Sequence, residues 1–225
     1  SMRATEHAAR FAAAGNTTLE DSIGKLTGTM FAFNLQTGNS AKDLEQFKRV
    51  ADVIAFAADQ TKASYAGMTS AFTKAAPVAK GLGISFERTA AILATMSQAM
   101  IEGGQAGTYF TMINRDLTIA FKKHEGMWKQ LGVNVYDTNG ALRNTADIIG
   151  DLQTKFAGMS TKSVVDTITS LGMPSRSMHA TLVMFGLTEQ AKALEASLKN
   201  VGGYVDGVFV KQMQSFSNQM ALLKN

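Results

Sequence analysis

Residues 43–58 read DLEQFKRVADVIAFAA. Within them Leu44, Phe47, Ala51, Ile54 and Ala58 recur every three or four positions, the interval that lines side chains along one face of an α-helix. Leu187, Ala191, Leu194, Leu198 and Val201 repeat the pattern, as do Ile149, Leu152, Phe156 and Met159. From Phe86 to Ile101 the apolar residues are too dense for one stripe, so that helix is expected to be covered on most sides. Every stripe is short and needs a neighbour to cover it. The fold class is therefore all-α, a multi-helix bundle of short to medium helices.

Punctuation supports this reading. A glycine followed two residues later by a hydroxyl occurs at Gly15/Thr17, Gly38/Ser40, Gly83/Ser85, Gly158/Ser160 and Gly186/Thr188. Glycine can end one helix, and a hydroxyl can accept from the free N–H groups that begin the next. Thr17 with Glu20, Ser40 with Asp43 and Ser163 with Asp166 have capping-box-like spacing. These signals place helices near 3–14, 18–36, 41–60, 64–80, 86–102, 105–123, 145–157, 161–171, 175–185, 188–201 and 208–224. Pro77, lacking an amide hydrogen, is expected to kink or interrupt the fourth. One segment departs from helical spacing. Val133-Asn134-Val135-Tyr136 alternates apolar and polar, Asp137-Thr138-Asn139-Gly140 supplies turn chemistry, and Ala141-Leu142-Arg143 follows. That predicts a small β-hairpin at 133–143, with Asp137, Asn139 and Gly140 in its turn.

The chain has 225 residues, enough for one good-sized domain or two small ones. With no cysteine, disulfides, thiolate zinc sites and cysteine nucleophiles are excluded. Charged residues make up 18% and apolar ones 45%, too apolar for a disordered chain. The least charged stretch, Leu26 to Ala41, is too short and too polar to span a bilayer. A net charge of +4 is an ordinary solubility charge. The densest basic stretch, Arg115 to Lys129, lacks interleaved aromatics and reads as a solvated helix face, so no specific nucleic-acid site is assigned. Ser1-Met2 reads as an expression scar. The remainder divides into N-terminal helices at 3–60, a core module at 61–202 that includes the hairpin, and a C-terminal helix beginning in 203–225 that leads into a larger parent protein.

Catalytic and metal constellations are incomplete wherever they begin. His124-Glu125 opens like a zincin signature, but Trp128 stands where the second histidine belongs. Asp137-Thr138-Asn139-Gly140 brings its glycine too early for a calcium loop. Gly81-Leu82-Gly83 lacks the third glycine of a dinucleotide fingerprint. Ser22 and Lys25 have Ser-x-x-Lys spacing without its companion motifs, and Glu102 is a lone acid. The reading is of a non-enzyme, with no catalytic, cofactor-binding or metal-binding residue. Trp128 reads as a core or interface anchor. Gly103, Gly104, Ala106, Gly107 and Thr108 read as a tight inter-helix corner whose small residues let backbones pack.

Three stretches in order carry a family resemblance. They are Ala79-Lys80-Gly81-Leu82-Gly83-Ile84-Ser85 opening a helix, the corner Gly103-Gly104-Gln105-Ala106-Gly107-Thr108, and the run from Leu131-Gly132-Val133 through Asp137 to Gly140-Ala141-Leu142-Arg143. Over about residues 60–200 the chain resembles the phage tail tape measure protein family. The resemblance implies a structural protein of long-tailed phages or prophages, lying in the virion tail lumen after assembly in the host cytoplasm. It sets tail length and leaves ahead of the DNA at ejection. Its implied partners are the tail tube protein, tail assembly chaperones and other copies of itself. Alternatives are an envelope-penetrating segment that contacts membrane at ejection and a peptidoglycan hydrolase. Frequent glycines and the absence of a sustained heptad stripe argue for a folded module rather than the rod itself.

Overall fold

The computed structural model describes residues 2–223. Eleven α-helices account for most of them: α1 (Met2–Ala14), α2 (Leu19–Ala32), α3 (Ser40–Asp59), α4 (Tyr65–Gly81), α5 (Phe86–Gln98), α6 (Gly103–Leu131), α7 (Thr145–Phe156), α8 (Thr161–Ser170), α9 (Ser175–Met184), α10 (Thr188–Leu198) and α11 (Tyr204–Leu223). Of the proposed scar, Ser1 lies outside the described residues and Met2 opens α1. Residues 224 and 225 of the expected C-terminal helix also lie outside them.

Side-chain caps set most helix starts. Thr18, Asn39, Ser64, Ser85, Asn144 and Ser160 each accept a hydrogen bond from a backbone N–H of the turn they open. At two starts the cap is a neighbour of the expected residue, Thr18 rather than Thr17 and Asn39 rather than Ser40. Asp43 does not complete a capping box; its carboxylate accepts from the Thr37 N–H at 2.6 Å and the Thr37 hydroxyl at 2.8 Å. Thr188 caps nothing, because Leu187 holds the N-cap position of α10 without a side-chain bond.

Helix α5 lies at the centre, touching α3, α4, α6 and α10, and every residue from Thr89 to Ser97 is buried. The most extensive pairing is α4 against α6. The buried apolar side chains form one cluster that runs from Ala8 to Val205.

Three expectations are corrected. Pro77 does not interrupt α4, which runs through it to Gly81. Proline at 77 removes the bond that the Thr73 carbonyl would accept, but both residues are exposed, so water can take the place of the missing N–H. Helix α6 does not stop at 123. It breaks at His124 (φ −126°, ψ 31°) and continues to Leu131, where Gly132 ends it in the left-handed region.

The β-hairpin is not formed as a pair of strands; only an isolated antiparallel bridge, Tyr136 to Leu142, remains. Two flanking bonds accompany it, Asp137 N–H to the Ala141 carbonyl at 2.9 Å and Arg143 N–H to the Val135 carbonyl at 3.0 Å. The reciprocal bond of a ladder is not made, because the Ala141 N–H goes to the Asp137 carboxylate at 2.9 Å and the Asp137 carbonyl accepts from Gly140 at 3.1 Å. Gly132 is still the C-cap of α6 and Asn144 is already the N-cap of α7. Val133 and Val135 bury their side chains in the helical core.

Candidate functional site

Polar groups gather where α11 joins the bundle. Asp52 of α3 is only 2% exposed, and its two carboxylate oxygens accept from the Gly203 N–H and the Val205 N–H, each at 2.8 Å. A buried carboxylate thus satisfies amides at the start of α11, where the helix dipole also favours negative charge. Beside it, His7 of α1 sets Nδ1 3.4 Å from Asp206 of α11, while Arg10 donates to Asp206 at 2.8 Å and lies 5.7 Å from the Phe209 ring centre. At the far end of α3, Asp59 accepts from the hydroxyls of Tyr65 and Tyr204, both at 3.0 Å. Burial, followed by the bond to Asp59, pushes the Tyr204 phenol up to about 12. A cleft of ≈ 400 Å³ opens beside Asp52, bounded by His7, Lys48 and Lys199.

Burial pushes the His7 imidazole below its ordinary 6.5, with Asp52 and Asp206 opposing the shift. The proton is therefore held more weakly in the folded protein than in the unfolded chain. Stability from this group is complete above about pH 6.5 and is lost as pH falls through the lowered folded-state value. Burial pushes Asp52 above its ordinary 3.8, against the amides of Val205 and Gly203. Its contribution has the opposite sign, present below 3.8 and lost as pH rises through the raised value. Urea unfolding at about pH 7 and about pH 5 should therefore show a larger loss of stability for the wild type than for His7→Gln. Equal losses would remove His7 from the account.

The sequence-predicted corner separates into residues with different tasks. Ala106 and Gly107 are buried, Gly103 and Gly104 are half-buried, and Thr108 is exposed, its hydroxyl donating to the Gly104 carbonyl at 2.8 Å. A Cβ at Gly107 would lie 2.2 Å from the Ala71 carbonyl oxygen and 2.8 Å from the Lys74 Cβ. Gly107 is thus a point of close approach between α4 and α6. Trp128 is fully buried, and its indole N–H donates to the Leu171 carbonyl at 3.0 Å. The Asp137 carboxylate accepts from the Asn139 N–H at 2.8 Å and the Ala141 N–H at 2.9 Å, and Gly140 holds φ +77°. These residues tighten a turn that lies apart from both the corner and the α11 root.

Asp52 and His7 were not singled out by the sequence reading. The signal for Asp52 was present: one carboxylate within Val50-Ala51-Asp52-Val53-Ile54, a run that is otherwise apolar and wholly buried. Other buried acids also join helices, Glu87 to Arg49 and Glu195 to both Arg88 and Asn144. Among the described residues, no group of three or more His, Asp or Glu is placed to hold a metal ion, and no helix is long and apolar enough to cross a membrane.

Capped helices, buried acids clasping distant amides and a glycine fitted to a backbone oxygen define a helical packing module. Its family is known. The family model described as "Phage-related minor tail protein" matches residues 1–172, and the chain belongs to that family, the tape measure proteins of phage tails. The match begins at residue 1 and so takes in the N-terminal helices that the sequence reading left outside the resemblance. Similar proteins include the "Probable tape measure protein" of Escherichia phage P2, 33% identical over 153 residues, covering 68% of this chain and 18% of that protein. The "Tape measure protein" of Pneumococcus phage Dp-1 is 36% identical over 118 residues, covering 52% and 10% respectively. The chain therefore spans less than a fifth of the length of these relatives. No solved structure matches it.

Proposed function

We propose that this chain is a folded module of a longer tape measure protein, acting in tail assembly and tail-length determination inside the tail tube. One observation carries the reading beyond family membership. The apolar face of α11 starts buried at Val205 and half-buried at Phe209, then runs on exposed through Met213, Phe216 and Met220. Spacing of three and four residues keeps these side chains on one seam, the arrangement that pairs helices in a coiled coil. The bundle would then be a head and α11 the beginning of an extended segment. Its partners in this reading are other copies of the chain, the tail tube protein and tail assembly chaperones. Assembly takes place in the host cytoplasm, and the finished protein occupies the tail lumen.

A helical ruler converts residues into length at about 1.5 Å each. In the phage or prophage encoding the parent protein, deleting helical segments downstream of the module should shorten tails in proportion, as measured by electron microscopy. Tails of unchanged length after such deletions would overturn the reading.

A further inference from the structure

Residues 157–172, which carry α8 between the buried Phe156 and the buried Met173, are lightly held. Only Ile168 and Leu171 are buried among them, with Val164 half-buried and most of α8 exposed. Spacing of four and three residues sets Val164, Ile168 and Leu171 along one side of the helix, the side that meets the core. Among the described residues, α8 forms no extensive pairing with another helix, whereas α4 packs along α6 and α10 along α5.

The polar bonds of this segment close on itself. Ser160 accepts from the Ser163 N–H at 3.2 Å, and the hydroxyls of Thr167, Thr169 and Ser170 donate to the Ser163, Val165 and Asp166 carbonyls at 2.7, 2.8 and 2.9 Å. Lys162 pairs with Asp166 at 2.7 Å. Among the described residues, no side chain from Ser160 to Ser170 bonds outside that span. Lifting α8 therefore takes the partner from one buried polar side chain elsewhere, the Trp128 indole, whose N–H donates to the Leu171 carbonyl at 3.0 Å.

A glycine stands at each end. Gly158 holds φ +80° and Gly172 φ +79°, the left-handed region that glycine enters and leaves without a Cβ penalty. Open space surrounds Gly158. At Gly172 the His124 ring lies on the backbone, so that a Cβ there would come within 2.3 Å of the imidazole Cδ2. The segment is thus free at one end and latched at the other, by His124 on Gly172 and by Trp128 on Leu171.

We propose that residues 157–172 form a strap that opens as a unit about Gly158 and Gly172 and uncovers Trp128 while the rest of the bundle stays folded. Its hold is two buried aliphatic side chains, a half-buried valine and one indole hydrogen bond, against a wholly buried run from Thr89 to Ser97 in α5. Opening free energies within one protein range from fraying ends to global unfolding according to such burial, and this segment falls at the low end. The strap decides between the two roles read for the tryptophan. Closed, the ring is a core anchor; open, the indole and the line of Val164, Ile168 and Leu171 come to the surface together. The inference does not rest on the ruler role.

The test is hydrogen exchange of the full chain, followed by NMR without denaturant. The backbone N–H groups of Val164 to Leu171 should share one protection factor, about tenfold or more below that of Thr89–Ser97. The single indole N–H should exchange with the strap and not with α5, because it is freed when Leu171 leaves. Ile168→Ala should accelerate the strap amides and the indole N–H by a further factor of about ten and raise acrylamide quenching of Trp128 fluorescence, with Thr89–Ser97 unchanged. Val165→Ala, on the exposed side of α8, should change none of these. The inference fails if strap and α5 exchange together in the wild type, if the indole follows α5, or if Ile168→Ala accelerates all helices alike. Faster strap exchange in Ile168→Ala without added quenching would also overturn it, since the tryptophan would then stay covered. The first two outcomes are read on the wild type alone, so a poorly folded Ile168→Ala does not shield the inference.

Discussion

Gly107→Ala is expected to destabilise the bundle by about 3 kcal/mol, the upper part of the range for overpacking a filled interior. The reason is the identity of the atom that the new methyl would strike. It would sit 2.2 Å from the carbonyl oxygen of Ala71 and 3.1 Å from the carbonyl carbon, both backbone atoms in the middle of α4. A flexible side chain could turn aside; a helix backbone can yield only by moving α4 away from α6, which loosens the most extensive helix pairing in the fold. Gly104→Ala is the internal control. Its Cβ would meet the Ser70 hydroxyl oxygen at 3.8 Å, an ordinary contact, and alanine is favoured over glycine within a helix by up to about 1 kcal/mol. Urea unfolding should therefore place the two variants on opposite sides of the wild type or, at the least, far apart. Similar midpoints for Gly107→Ala and the wild type would show that α4 and α6 do not approach as closely as described.

That contrast also marks how far the sequence could be read. The spacing of Gly103 and Gly107 identified a corner of small residues, yet spacing alone does not say which glycine faces the neighbouring helix. Only Gly107 does so at sub-contact distance, and that depends on the rotation of α6 against α4. Helix positions were legible because hydrophobic stripes and polar caps act locally, and the density of apolar residues after Phe86 correctly foretold a central helix. The end of α6 was not legible. His124 leaves helical geometry, but the chain resumes its helix beyond it, with the Trp128 ring buried against the α8–α9 linker. The turn at 137–140 has hairpin chemistry, but the Asp137 carboxylate takes the Ala141 N–H that a ladder would use, and pairing stops at one bridge. Asp52 escaped notice for a related reason. Its partners, Gly203 and Val205, lie some 150 positions along the chain, so no local pattern announces the clasp.

Trp128→Ala is expected to cost about 3–5 kcal/mol, the range for removing a fully buried large aromatic. Trp128 is the only tryptophan and is 0% exposed, and its ring centre lies 6.1 Å from that of Phe121. Its removal would leave a cavity between the last turns of α6 and the linker after α8, where Leu171 and Met173 are also buried. Trp128→Phe separates two parts of this loss. Phenylalanine keeps much of the apolar contact but has no N–H, so the Leu171 carbonyl loses its 3.0 Å donor, a deficit of about 1–3 kcal/mol if the oxygen stays buried. Because that bond ties α6 to the chain leading into α9, hydrogen exchange in Trp128→Phe should accelerate first around residues 168–178, before α3 or α5. Uniform acceleration across all helices would mean that the tryptophan supports the core as a whole and does not pin the linker.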